Sequence, residues 1–377
     1  MRRAVTSTKR DSSTGRAVAG RSRIVLATTL VVLSLLAPAA AQAGGPAFTF
    51  WVSLGSGCPE GTGPASSTIT LTLMDRDNNF IDSQTVYTDG SGLWTSDDCF
   101  WFPINGGDKI RAESGPYSRT FQVPNLTINI NRVSDVISGK APTTGSFHLY
   151  TTVCESYQCS SGPDVNVNVA SGGTYARDFT ALHNLIGGDR AFGRWTSPSG
   201  DNVETFQRYA PRMEFVIGDR NVDGQGKPNQ TVTVKLKTAG GTLIGSGSDA
   251  TNSRNTNFRV ELKNSSGEPV YPRVGNKATS NIASDASLTV PTITLAMADA
   301  DTVSGHCFNN GQVYVYLEHY YPSYDWTDGY TSSNSSGNFS IDIANMSNTS
   351  FVPAAGDRYE VDCHNAKGDI VARYAHY

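Results

Sequence analysis

Positive charge, long apolar runs and helical periodicity are all scarce in this chain of 377 residues. Thirty Lys/Arg stand against 34 Asp/Glu, so holding nucleic acid by phosphate neutralisation is excluded. The longest largely apolar stretch, Ile24 to Leu36, has 13 residues. That is short of the roughly 20 that a membrane-spanning helix needs. Apolar residues seldom recur at three- and four-residue intervals, which argues against a helical protein. No Gly-x-Ser-x-Gly, His-Glu-x-x-His or phosphate-binding glycine loop occurs, so no familiar catalytic signature is present. The six histidines, His148, His183, His306, His319, His364 and His376, are scattered.

The first 43 residues read as an export signal. Arg2, Arg3, Lys9, Arg10, Arg16, Arg21 and Arg23 precede the apolar stretch, and Ala41-Gln-Ala43 offers a small-x-small cleavage site. Arg2-Arg3 is a weak pointer to the twin-arginine route. Removing residues 1–43 takes seven bases and one acid from the totals, leaving 23 and 33, net −10. A mature chain of that charge stays soluble outside the cell and can attract cations. No transmembrane segment is expected in it.

What the chain does have is a repeat. A proline opens a strand-like run at Pro46, Pro124, Pro211 and Pro291, in steps of 78, 87 and 80. An aromatic follows a polar turn at Trp94, Tyr175, Phe258 and Phe339, in steps of 81, 83 and 81. A Gly-Asp/Asn-Lys/Arg corner recurs at Gly107, Gly188, Gly275 and Gly356. A fourth, weaker mark occurs twice: Gly200-Asp-Asn-Val before Arg208-Tyr-Ala, and Gly368-Asp-Ile-Val before Arg373-Tyr-Ala. Marks in fixed order at one period imply one supersecondary unit used four times. The expected units are 46–123, 124–210, 211–290 and 291–377, each keeping its sheets to itself.

Strand-period alternation runs through Thr68–Leu73, Thr231–Leu236, Val313–Leu317 and Phe339–Ile343, and Gly, Asn, Asp and Ser fill the turns. Phe179–Leu185 alone suits a short helical turn. Six or seven short strands in about 83 residues predict an all-β, antiparallel sandwich, with the recurring aromatic on an inner face. The order of marks, with Val136-Ile-Ser-Gly139 and Val303-Ser-Gly305, resembles the tandem immunoglobulin-like repeats of bacterial secreted and cell-surface proteins. The resemblance implies a β-sandwich stalk or binding module and carries no catalytic residues with it.

Each cysteine-bearing repeat holds an even number of cysteines, so the expected disulfides are Cys58–Cys99, Cys154–Cys159 and Cys307–Cys363. A zinc-like alternative exists in the fourth repeat, where His306-Cys307 and Cys363-His364 could meet. The third repeat has no cysteine. It carries Asp219, Asn221 and Asp223 followed by Gly224, the oxygen spacing of a calcium loop. An EF-hand would need an acid where Gln230 stands, so the options are a looser calcium site or a polar turn. Asp75-Arg-Asp77-Asn-Asn79 is a weaker string of the same kind. No other cofactor is indicated.

The fourth repeat has a dense run of rings: Tyr314, Tyr316, Tyr320, Tyr321, Tyr324, Trp326 and Tyr330. Exposed rings beside Asp325 and Asp328 suit stacking on sugars or a protein contact, with Tyr321, Tyr324 and Trp326 as candidate ligand residues. The bland alternative is a cross-strand ladder of tyrosines. Asn-x-Ser/Thr strings, including Asn125, Asn229, Asn264 and Asn345, follow from a composition rich in Asn, Ser and Thr. Three functions fit these observations. The first is a secreted, non-enzymatic, rod-like structural or adhesive protein with an extracellular protein or glycan partner. The second is a carbohydrate-binding protein working through repeat four. The third is a hydrolase on a β-sandwich scaffold.

Overall fold

The computed structural model describes residues 48–95, 99–155, 158–297, 301–320, 323–354 and 356–376. Residues 1–43, where the sequence leads one to expect an export signal, and Tyr321 lie outside the described residues. Within them the chain is all-β, with a single 3₁₀ turn at Ile343–Asn345. Phe179–Leu185 makes one turn, closed by His183 N–H donating to the Phe179 carbonyl at 2.8 Å, and no helix follows.

The recurring marks have concrete structural roles. Trp94, Tyr175, Phe258 and Phe339 are all buried. Each lies directly across a strand pair from a glycine: Gly61, Gly139, Gly224 and Gly305 respectively. A Cβ on Gly61, Gly224 or Gly305 would fall 2.6, 2.7 or 2.6 Å from a carbon of the facing ring, and one on Gly139 would fall 2.8 Å from the Tyr175 hydroxyl. The ring therefore lies over the bare backbone, which supplies the packing surface that the glycine lacks. The corner mark is a reciprocal turn. Asp108, Asp189, Asn276 and Asp357 each accept, through the side chain, the backbone N–H of the residue three positions earlier, at 2.7, 2.9, 2.9 and 2.6 Å. Their own N–H groups donate back to the same residues' carbonyls. The glycine before each has φ between +81° and +100°, a region that glycine alone enters freely.

The sheets do not stop at the repeat boundaries, contrary to the expectation that each repeat keeps its sheets to itself. In repeat 1 the four-stranded sheet of Thr68–Met74, Phe80–Tyr87, Lys109–Ser114 and Tyr117–Gln122 is its own. Its other sheet continues into repeat 2, because Thr49–Ser53 pairs in parallel with Asn202–Glu204. Repeats 3 and 4 are joined the same way, Arg212–Val216 running parallel to Ile370–His376. The hydrophobic core follows the sheets: one cluster extends from Phe48 to Ala210 and a second from Met213 to Val371.

The weak fourth mark explains the pairing, and why it occurs only in the even repeats. Asp201 is buried and accepts the N–H of Phe50 at 3.1 Å. Asp369 is buried and accepts the N–H of Met213 at 2.9 Å. Each carboxylate from an even repeat thus clamps the first strand of the preceding odd repeat. Arg119 completes the first clamp, with Nη1 and Nη2 on Asp201 at 2.7 and 2.5 Å, and also donates to the Phe48 carbonyl. Burial alone would raise the Asp201 pKa, but hydrogen bonds from Arg119, Ser199 and Ser197 hold it below the ordinary carboxylate value.

In the second clamp the arginine comes from the other pair. Arg132 of repeat 2 donates to Asp369 at 2.9 and 3.1 Å and to the Lys367 carbonyl at 3.0 Å. Gly187 N–H also donates to the Lys367 carbonyl at 2.7 Å. Repeat 1 touches repeat 3 as well, through Arg254 Nη2 on Asn105 Oδ1 at 2.8 Å. Contacts thus also run between repeats that are not sequence neighbours. Disulfides link Cys58 to Cys99, Cys154 to Cys159 and Cys307 to Cys363. The zinc-like set of repeat four is thereby removed, since its two sulfurs are bonded to each other.

Candidate functional site

Strand Gln312–His319 alternates as its sequence requires. Val313, Val315 and Leu317 are buried in the core, which places Tyr314, Tyr316 and Glu318 on the outer face. On one side Trp326 lies opposite Glu318, Asp328 opposite Tyr316, and Tyr330 opposite Tyr314. On the other side Arg358 lies opposite Glu318 and Glu360 opposite Tyr316, and Tyr374 stands beyond, across from Glu360. The rings form a layer: Tyr314 with Tyr330 at 5.0 Å between centroids, Tyr316 with Trp326 at 6.0 Å, and Tyr320 with Tyr324 at 5.5 Å.

Glu318 is the centre of this layer and is only 4% exposed. Tyr316 OH donates to its Oε2 and Tyr320 OH to its Oε1, both at 3.1 Å. Arg358 Nη1 donates to Oε1 at 3.0 Å, and the Tyr316 and Tyr324 hydroxyls are 3.0 Å apart. A buried carboxylate needs such partners. In return it orients the Tyr316 and Tyr320 rings directly, and Tyr324 through the Tyr316 hydroxyl. Burial raises the Tyr316 pKa, and its bonds to Tyr324 and Glu318 raise it further. The Arg358 guanidinium also lies 5.1 Å over the Tyr374 ring. The outward edge stays open: Tyr320, Tyr324, Trp326 and Tyr374 are 65, 56, 44 and 41% exposed. Asn348 steadies the neighbouring segment, donating through Nδ2 to Asp325 Oδ1 at 2.9 Å and to the Trp326 carbonyl at 3.3 Å.

Of the ring residues singled out in the sequence, Tyr324 and Trp326 therefore lie in one layer. Glu318, Arg358 and Tyr374 were not singled out. Tyr316-x-Glu318-x-Tyr320 carries a period-two signal that puts those three on one face. Arg358 and Tyr374 reach the layer from distant segments, through strand pairings that no local pattern reveals.

The calcium-like string has a different setting. Asn221–Gln225 is a β-strand, and Gly224 in it is the bare backbone beneath Phe258. Asp219 Oδ1 accepts from Asn221 N–H at 3.1 Å and from its Nδ2 at 3.0 Å. Arg259 lies 4.0 Å from Asp219 and 3.8 Å from Asp223. The cation facing these two carboxylates is thus a guanidinium. Burial, together with the charge of Asp219, raises the Asp223 pKa against the pull of Arg259. In Asp75–Asn79 the Asp75 carboxylate accepts from Asp77 N, Asn79 N and Asn79 Nδ2 at 2.8, 2.8 and 2.7 Å, a self-contained hairpin turn. Among the described residues, no group of three or more His, Cys, Asp or Glu is placed to share a metal ion.

No protein-family model matches the chain, and no curated protein sequence matches it. Comparison with solved structures gives weak likenesses. A tetra-tandem repeat from the extending region of a large adhesion protein is 13% identical, covers 88% of this chain and 99% of its own, and has a TM-score of 0.17. A region of a 1.5-MDa bacterial ice-binding adhesin is 14% identical, covers 67% of this chain and 96% of its own, and has a TM-score of 0.14. Escherichia coli alpha-2-macroglobulin is 11% identical over 88% of this chain, with a TM-score of 0.17, and the match spans 43% of that protein. At such scores none of these likenesses bears on function.

Proposed function

We propose that the protein is an extracellular, non-enzymatic structural and adhesive protein, cross-linked by disulfides and built from four β-sandwich repeats bounded near Pro124, Pro211 and Pro291. Its adhesive surface is the outer face of the sheet shared by repeats 3 and 4. The observation that carries this reading is the ring layer around Glu318. Fixed, half-exposed aromatic rings over a satisfied charge pair are what a contact surface uses, because little side-chain entropy remains to be lost on binding. Glu318 is already engaged by Arg358 and two tyrosine hydroxyls, an arrangement suited to holding rings rather than to accepting a proton from a substrate.

A glycan is the second reading for the same face, favoured by the exposure of Tyr320, Tyr324 and Trp326. The test is binding of the full-length protein to intact cells and to a glycan array, beside a Tyr324→Ala/Trp326→Ala variant. Both readings expect the double variant to lose binding while its melting temperature stays unchanged. Signal on the array selects the glycan. Undiminished binding by the variant, or turnover of a bound glycan, ester or peptide, overturns the proposal.

A further inference from the structure

The two strand-sharing joints repeat one framework with different outward chemistry. In both, the first strand of the odd repeat is clamped by an aspartate, Asp201 or Asp369. One residue beyond each clamp the registers match: Trp51 lies opposite Asn202, and Glu214 opposite Ile370. Two residues further on, Arg194 faces Glu204 in the first joint, where Asp362 faces Ala372 in the second. The framework therefore does not demand a tryptophan, an arginine or a glutamate at these places. Their presence in the first joint needs another reason.

A groove of about 360 Å3 lies there, lined by Trp51, Ser53, Glu60, Arg194, Asn202 and Glu204 among others. These residues come from four adjacent hydrogen-bonded strands, so the sheet holds most of the lining, and Cys58, bonded to Cys99, completes it from the loop before Glu60. Trp51 is 43% exposed. Arg194 donates through Nε and Nη2 to Glu204 Oε1 at 2.8 and 2.5 Å, and its guanidinium lies 5.0 Å over the Tyr150 ring. The pair is thus oriented before any ligand arrives.

We propose that this groove binds a neutral saccharide, with one pyranose ring against Trp51. A pyranose offers an apolar C–H face to an indole, and vicinal hydroxyls to planar polar groups. Glu60 and Glu204 accept from those hydroxyls, Asn202 both donates and accepts, and Arg194 donates. Two carboxylates against one engaged guanidinium disfavour an anionic sugar. The site is independent of the ring layer in repeat 4.

Saturation-transfer NMR on the full chain, with maltotriose, cellotriose and triacetylchitotriose as probes, tests the proposal. Transfer to the ring protons of at least one probe is expected, with affinity about tenfold weaker in Trp51→Glu, a loss of the size of one aromatic contact. Glutamate is chosen because Glu214 occupies the matching place in the second joint. Asn202→Ala is a second, smaller perturbation that should also weaken binding, and Trp326→Ala should not. No transfer to any of the three probes, or full affinity in both groove variants, overturns the proposal. Loss in Trp326→Ala alone would assign the sugar to the ring layer and likewise overturn it.

Discussion

His364 is buried at the end of Arg358–His364, with the Arg212 guanidinium opposing a second positive charge there. Burial first, and then Arg212, pushes its pKa down to about 3 from the ordinary 6.5. The folded protein therefore keeps this imidazole neutral where the unfolded chain protonates it. Between those two values the unfolded state binds one more proton, so falling pH favours unfolding. The contribution is complete above pH 6.5 and is lost at up to about 1.4 kcal/mol per pH unit below it. Urea unfolding at pH 7, 6 and 5 is the measurement. Wild type should lose stability across this range faster than His364→Gln, and equal slopes would show that the folded protein also protonates this histidine.

At the scale of the element, Asn221–Gln225 shows how one string serves two readings. Asp219, Asn221, Asp223 and Gly224 have the spacing of a calcium loop, yet the glycine sits beneath Phe258 and Arg259 faces both acids. Calcium at millimolar concentration and a chelator should give the full-length protein the same melting temperature. Asp223→Ala should change it little, because a half-exposed pair contributes about 0–1 kcal/mol. A calcium-dependent rise in melting temperature, abolished by Asp223→Ala, would show that the string holds the ion. The four aromatics and four corners were legible because each is local: a ring, a glycine and a turn residue within one repeat. Trp51, Glu204, Arg358 and Tyr374 were not, because their surroundings are set by pairings between strands distant in sequence, as between Trp51 and Asn202 or Glu214 and Ile370. The same limit hid the joints. Gly200-Asp201 and Gly368-Asp369 stood out as a mark found twice instead of four times, but only the strand register shows that the difference separates clamping repeats from clamped ones.

For the molecule as a whole, the sheets and cores define two double units, and a buried ion pair is among the contacts that link them. Arg132 leaves the first double unit and is buried against Asp369 of the second, with 1 and 0% of the two side chains exposed. Asp369 also holds the N–H of Met213, so one carboxylate serves both the strand clamp inside the second unit and the tie between units. Removing Arg132 leaves that carboxylate buried without its counter-charge, which costs about 3–5 kcal/mol. The effect should be one-sided. In hydrogen exchange followed by mass spectrometry, Arg132→Ala should lower protection in Arg212–Val216 and Ile370–His376 together, since they are neighbours in one sheet. Thr49–Ser53 and Asn202–Glu204 should keep theirs, because Arg119 and Asp201 close their own clamp. Protection lost in Ile370–His376 alone, with Arg212–Val216 unaffected, would mean that repeats 3 and 4 open separately, and the double unit would not be the cooperative one.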